Sequence, residues 1–252
     1  MQTESRAALS KVPEVTLVFW LIKIAATTLG ETGGDAVSMS MGLGYLAGTG
    51  IFALAFVLAI AAQIRARNFH PFLYWATIIA STTVGTTLAD FVDRSLGIGY
   101  AGGTTLLILL LATSLFVWQR SLGSISIQTV YTPRAELFYW VTIMFSQTLG
   151  TALGDWTADS AGLGYSGGIL LFSMLLLLIV AAYFWSKLSH TLLFWAAFIL
   201  TRPLGAVVGD FLDKPLANGG LELSRYSATA VLLGFIVACI LIFKQRAAQR
   251  AH

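Results

Sequence analysis

Cysteine and charge are the two things this chain most lacks. Its one cysteine, Cys239, excludes an intramolecular disulfide and, lying in the last apolar run, reads as a buried thiol. Only 11% of the 252 residues are charged, too little polar surface to solvate a globular domain. The formal charge of +3 comes from basic residues scattered in ones and twos along connectors, so no nucleic-acid-binding patch is built and no nucleic-acid partner is expected. Histidine is scarce as well: His70 and His190 hold equivalent interfacial places, and nothing near either makes a zinc site. No nucleophile elbow, phosphate loop or haem-attachment motif is present, so neither enzyme activity nor a bound cofactor is expected.

What the chain has in excess is apolar length. At 57% hydrophobic residues and a mean hydropathy of +0.79 it reads as an integral membrane protein, its partner being the lipid bilayer. Eight apolar spans of roughly 18–22 residues are available, the length that crosses a hydrocarbon core about 30 Å thick. The first follows Arg6 and Lys11 as a signal peptide would, but it is long, contains Lys23 and has no convincing cleavage site, so it is read as a retained helix.

The spans are internally repeated. Gly30-Glu31-Thr32-Gly33-Gly34-Asp35 returns as Gly85-Thr86-Thr87-Leu88-Ala89-Asp90, Gly150-Thr151-Ala152-Leu153-Gly154-Asp155 and Gly205-Ala206-Val207-Val208-Gly209-Asp210. A Trp stands ten residues before the first Gly of each copy: Trp20, Trp75, Trp140 and Trp195. These tryptophans sit in the cytoplasmic third and read as belt or packing residues. The units are residues 14–67, 68–120, 134–187 and 188–243, within one membrane domain of residues 1–252. Connector 119–136 joins two halves, and Asp90-Phe91-Val92-Asp93-Arg94 in unit two matches Asp210-Phe211-Leu212-Asp213-Lys214 in unit four.

The expected fold is therefore all-α and polytopic: eight transmembrane helices from four tandem two-helix repeats, with pseudo-twofold and pseudo-fourfold symmetry about the membrane normal. Arg6, Lys11, Arg65, Arg67, Arg120, Arg134, Lys187, Lys244, Arg246 and Arg250 lie on one side and only Arg94, Lys214 and Arg225 on the other. Both termini are then cytoplasmic in a bacterial inner membrane, and the Asp-bearing turns point outward.

Small residues one turn apart (Gly30/Gly34, Gly85/Ala89, Gly150/Gly154, Gly205/Gly209) let helix backbones approach in lipid, placing the four odd helices centrally and the four even ones toward lipid. Carboxylates follow at one-turn spacing: Glu31/Asp35, Asp90/Asp93, Asp155/Asp159 and Asp210/Asp213. Converging on an axis, they suit a hard divalent cation or a coupled proton site. Asp35, Asp90, Asp155 and Asp210 are the expected ligands, with Glu31 an additional ligand or a proton carrier. Asp93, Asp159 and Asp213 are secondary acids that could equally be interfacial, capping or paired with Arg94 and Lys214. Thr27, Thr28, Thr82, Thr83, Gln147 and Thr148 could add neutral oxygens.

Two basic residues break the registry. Lys23 is either a proton-coupling group or a lysine snorkelling to the cytoplasmic face, and Arg202, standing where the other units have Thr27, Thr82 and Gln147, is either a tethered cation occupying the empty site or a structural ion pair. Pro203 is expected to break the helix locally.

Gly42-Leu43-Gly44-Tyr45, Gly97-Ile98-Gly99-Tyr100 and Gly162-Leu163-Gly164-Tyr165 are suggestive of a potassium filter, but about ten residues between Asp and the next span leave no room for a pore helix. They read as tight turns returning the second span beside the first. The whole pattern resembles a family of bacterial membrane proteins with four tandem two-span repeats and unknown function. Glu31-Thr32-Gly33-Gly34-Asp35 is more weakly similar to acidic motifs of bacterial manganese and other cation exporters, and that likeness implies a manganese-like divalent metal as cargo. The resulting expectation is cation export through an acid-lined central site. A cation channel, or a non-transporting scaffold or sensor with structural ion pairs, are the alternatives. A homodimer is compatible with so small a transporter.

Overall fold

The computed structural model describes residues 10–248, so Arg6 and Arg250 of the orientation count, and the ends of the polar arm and basic tail, lie outside the described residues. Eight helices are found among them: α1 (Leu17–Asp35), α2 (Gly44–Arg65), α3 (Pro71–Asp90), α4 (Gly99–Leu122), α5 (Pro133–Asp155), α6 (Gly164–Trp185), α7 (His190–Asp213) and α8 (Arg225–Ile242). Thr16 and Thr132 cap α1 and α5 through their hydroxyls, and Pro71 and Pro133 open α3 and α5, where a missing N–H costs nothing.

Among the described residues, six helical stretches are long and apolar enough to cross a membrane: α2, α3 with its extension to Ser95, α4, α6, α7 and α8. The other two expected spans, α1 and α5, are of similar length, but they carry Lys23, Glu31 and Asp35, and Arg134, Glu136 and Asp155.

After Asp35, Asp90 and Asp155 the helix widens into a five-residue π-turn: Ala36–Ser40, Phe91–Ser95 and Trp156–Ser160. Unit four departs from this because Pro215 forces Lys214 into extended backbone and ends α7. Each Gly-x-Gly-Tyr then turns the chain with both glycines at positive φ, between 63° and 78°, which any Cβ would oppose.

These turns do not return the second helix of a unit beside its first. Instead α2 packs chiefly on α3, α4 on α5, α6 on α7 and α8 on α1. The π-turn and glycine turn together carry the chain sideways onto the next unit. The seams are made by Ser114–Thr142 (2.5 Å) between α4 and α5, Thr32–Thr229 (2.9 Å) between α1 and α8, and Gly168 against Val207 between α6 and α7.

The odd helices form a closed ring, α1–α3–α5–α7–α1. At each seam the first glycine of one unit faces the Thr, Gln or Arg of the next: Gly30 meets Thr82, Gly85 meets Gln147, Gly150 meets Arg202 and Gly205 meets Thr27. The even helices lie outside. In the apolar window of α3 and α7 67% of residues are buried, against 11–22% for the even helices, whose outward faces are Leu, Ile, Val and Phe. Pro203 does not break α7, which is continuous through it. Thr hydroxyls reach carbonyls of the preceding turn, Thr201 donating to Phe198 O and Thr27 to Thr201 O, and neighbouring helices clamp the turn.

One end of the ring is filled by aromatics. Phe19, Tyr74, Tyr139 and Phe194, with Trp75, Trp140, Trp195 and Trp118, are buried and in edge or tilted contact, so these tryptophans pack the core. Tyr74 and Tyr139 share a hydroxyl hydrogen bond of 2.6 Å. Tyr74→Phe is expected to cost about 1–3 kcal/mol by leaving the other hydroxyl unpaired, and Tyr74→Phe/Tyr139→Phe to recover most of that. Thermal unfolding of the three variants checks it.

Candidate functional site

The opposite end of the ring is built by the aspartates that close the repeated motif. Asp35, Asp90, Asp155 and Asp210 are all buried. They are sorted into two pairs. Lys214 bridges Asp35 and Asp210, at 3.1 Å from the latter, while Arg94 bridges Asp90 at 2.9 Å and Asp155 at 3.3 Å. Each cation stands four residues after its own unit's Asp and reaches across to a neighbouring unit's. A single positive charge facing two carboxylates leaves each bridge net negative if both are ionised.

Burial works against the Lys214 ammonium, but Asp210, Asp35 and Asp213 outweigh it, so its pKa lies well above an ordinary lysine's and the group stays charged throughout the physiological range. Arg225 bonds Asp213 at 2.7 Å and approaches Asp35 at 3.9 Å. Asp159 is exposed and accepts from Tyr100 at 3.2 Å; Asp93 is buried.

One turn deeper lies Glu31, which accepts from Arg202 Nη2 at 3.1 Å and from Thr86 Oγ1 at 3.3 Å. The same Nη2 reaches Thr86 at 2.6 Å and Thr151. Arg202 is completely buried and pairs with Glu31, while the cation on Asp35 and Asp210 is Lys214. Thr86 and Thr151 were not singled out from the sequence, although they occupy the register of Glu31, one residue after the first glycine of their units.

Glu31, Asp35 and Asp210 offer carboxylate oxygens all within 4.8 Å of one another. Asp90 and Asp155, expected beside them, are held by Arg94 outside this trio. Asp35 Oδ1 is buried and accepts no hydrogen bond. Three clustered carboxylates with a free oxygen fit the donor set of a hard cation.

The neutral oxygens expected along the path divide. Thr28, Thr83 and Thr148 bond back to carbonyls of their own helices at 2.8–3.0 Å. Thr27 spends its hydroxyl on Lys23 O, Ile24 O and Thr201 O. Thr82 Oγ1 and both ends of the Gln147 amide are buried without a hydrogen-bond partner. Lys23 does not snorkel: it is completely buried, its Nζ forms no hydrogen bond and lies 4.2 Å from the centre of the Phe198 ring.

Four segments, residues 18–69, 73–123, 138–189 and 193–247, match the family model described as Repeat of Unknown Function (DUF347), and the chain belongs to this repeat family. No curated protein and no solved structure matches it. The likeness to cation exporters drawn from Glu31–Asp35 therefore has no relative behind it.

Proposed function

Since membership of a repeat family without a described function leaves the activity to the residues themselves, we propose that this protein is a membrane transporter of cations, of the divalent-metal class, working through Glu31, Asp35 and Asp210. In this reading all eight helices cross a bacterial inner membrane around an axis along its normal, with both termini on the cytoplasmic, Lys/Arg-rich side. The mutual approach of those three buried carboxylates to within 4.8 Å carries the proposal. In a membrane interior such groups are costly, and a fold that brings them together gains from a cation between them.

The Lys214 ammonium, bridging Asp35 and Asp210, is the internal competitor. A dication entering from the outer end of the ring displaces it, and Lys214, lying just beyond α7, is free to withdraw. Arg202 balances Glu31 in the empty state, and Lys23, deeper on the same ring, is the candidate proton carrier. The aromatic layer closes the far end of this conformation, so release requires those rings to part. The ion pairs Arg94 makes with Asp90 and Asp155 favour a second reading, a non-transporting scaffold.

Manganese flux in proteoliposomes, with and without a pH gradient, separates the two. Asp35→Asn is expected to reduce flux at least tenfold, while Lys214→Met lowers the apparent KM about tenfold, equivalent to removing ~1.4 kcal/mol of competition. If no cation moves through the native protein, and the substitutions change stability alone, the scaffold reading stands.

A further inference from the structure

Asp93 is left over from the ion-pair system. Its counterpart in the matching segment, Asp213, is held by Arg225 at 2.7 Å. Asp93 is 7% exposed, and neither carboxylate oxygen has a hydrogen-bond partner. The adjacent Arg94 spends its guanidinium on Asp90 and Asp155. The carboxylate rests against α4 at Gly103, where any Cβ would collide with Oδ1, so that glycine makes the room it occupies.

Beside it opens a crevice of about 170 Å³ between α3, α4 and α5, lined by Asp93 with Leu106, Leu107, Leu110, Met144 and Phe145. The one hydroxyl in its wall, Thr148, bonds its own helix at Met144 O. At ~30 Å³ each, about six water-sized groups would fill it, but apolar walls offer water few partners. An ionised carboxylate with no hydrogen-bond partner in such surroundings is unfavourable.

We propose that this crevice is a binding site for a short amphiphilic primary ammonium, its alkyl chain between α4 and α5 and its –NH₃⁺ on Asp93, in the place Arg225 takes at Asp213. Charge complementarity selects the ligand: an alcohol of the same length fills the apolar walls and leaves the carboxylate unpaired, and a carboxylate repels it. The ammonium could arrive as a free amine or on a phosphatidylethanolamine headgroup.

The test is calorimetric titration of the full chain in phosphatidylcholine nanodiscs with hexylammonium, hexanol and hexanoate. Hexylammonium is expected to bind at least tenfold more tightly than hexanol, with hexanoate not binding. Asp93→Asn removes no hydrogen bond, keeps the native melting temperature, and brings hexylammonium to the level of hexanol. Leu107→Trp fills the crevice and abolishes binding of both. Nanodiscs containing phosphatidylethanolamine distinguish the source: competition with hexylammonium assigns the lipid headgroup, and its absence the free amine. Equal affinity for hexylammonium and hexanol in the native protein, or an undiminished preference in Asp93→Asn, overturns the proposal. A carboxyl that merely carries a proton gives that first result.

Discussion

Arg202→Met is expected to destabilise the protein by about 3–5 kcal/mol, the usual consequence of removing one partner of a buried ion pair. The guanidinium is fully buried, and one nitrogen serves Glu31, Thr86 and Thr151. Methionine fills much of the same volume and restores none of those bonds, so Glu31 is left as an uncompensated carboxylate at the centre of the ring. Glu31→Gln/Arg202→Met is expected to regain most of the loss, because a neutral amide can accept from Thr86 and needs no counterion. For a chain of this size the single variant should melt roughly 10 °C lower, at about 2–4 °C per kcal/mol. Thermal unfolding followed by size-exclusion recovery in detergent measures both. An unchanged midpoint in Arg202→Met would show that the pair contributes nothing to the fold, and a double variant no better than the single one would place the cost in packing rather than charge.

Much of this arrangement is legible in the sequence because it depends on register. The Trp, glycine and aspartate offsets give the four units, and the charge-free even spans give the outer helices. The pairing of charges is not legible in the same way. Arg94 and Lys214 each sit one turn after their own aspartate, but which neighbour each also holds depends on how the ring closes, α5 beside α3 and α1 beside α7. That division separates Asp90 and Asp155 from the Glu31 cluster, although all four aspartates look equivalent along the chain.

Of the two readings of Lys23, snorkelling fails for a related reason. Its distance from the helix start suits snorkelling, yet the aromatic layer at Phe19, Tyr74 and Tyr139 blocks the way to that end of the bundle. The sequence pattern pairs each even helix with the first helix of its own unit because a repeat unit is a unit of sequence. Here the unit of packing is the second helix of one repeat with the first helix of the next, which ties each repeat to its successor.

That interlocking makes the ring seams the most sensitive positions, and Gly150→Val is expected to give no recoverable folded protein. A Cβ at Gly150 would fall on Arg202 Cγ and lie 2.5 Å from Arg202 Cβ, with Pro203 Cδ at 3.1 Å. The flexible end of Arg202 could move aside, but its Cβ and the proline ring are fixed to α7, so the helices themselves must separate. Gly33→Ala is the control: its nearest neighbour would be Thr229 Cγ2 at 3.6 Å, an ordinary contact, and helix propensity favours alanine by roughly 0.5–1 kcal/mol. Equal yields of the two variants from membranes, by fluorescence-detected size exclusion, would refute close approach at Gly150. The milder Gly150→Ala adds a sharper consequence. It pushes aside the guanidinium that Arg202→Met removes, so both substitutions break the same ion pair with Glu31 and their costs are expected to fall short of additivity. Packing glycine and central charge are one device here: the missing side chain on α5 is what lets the α7 guanidinium reach Glu31.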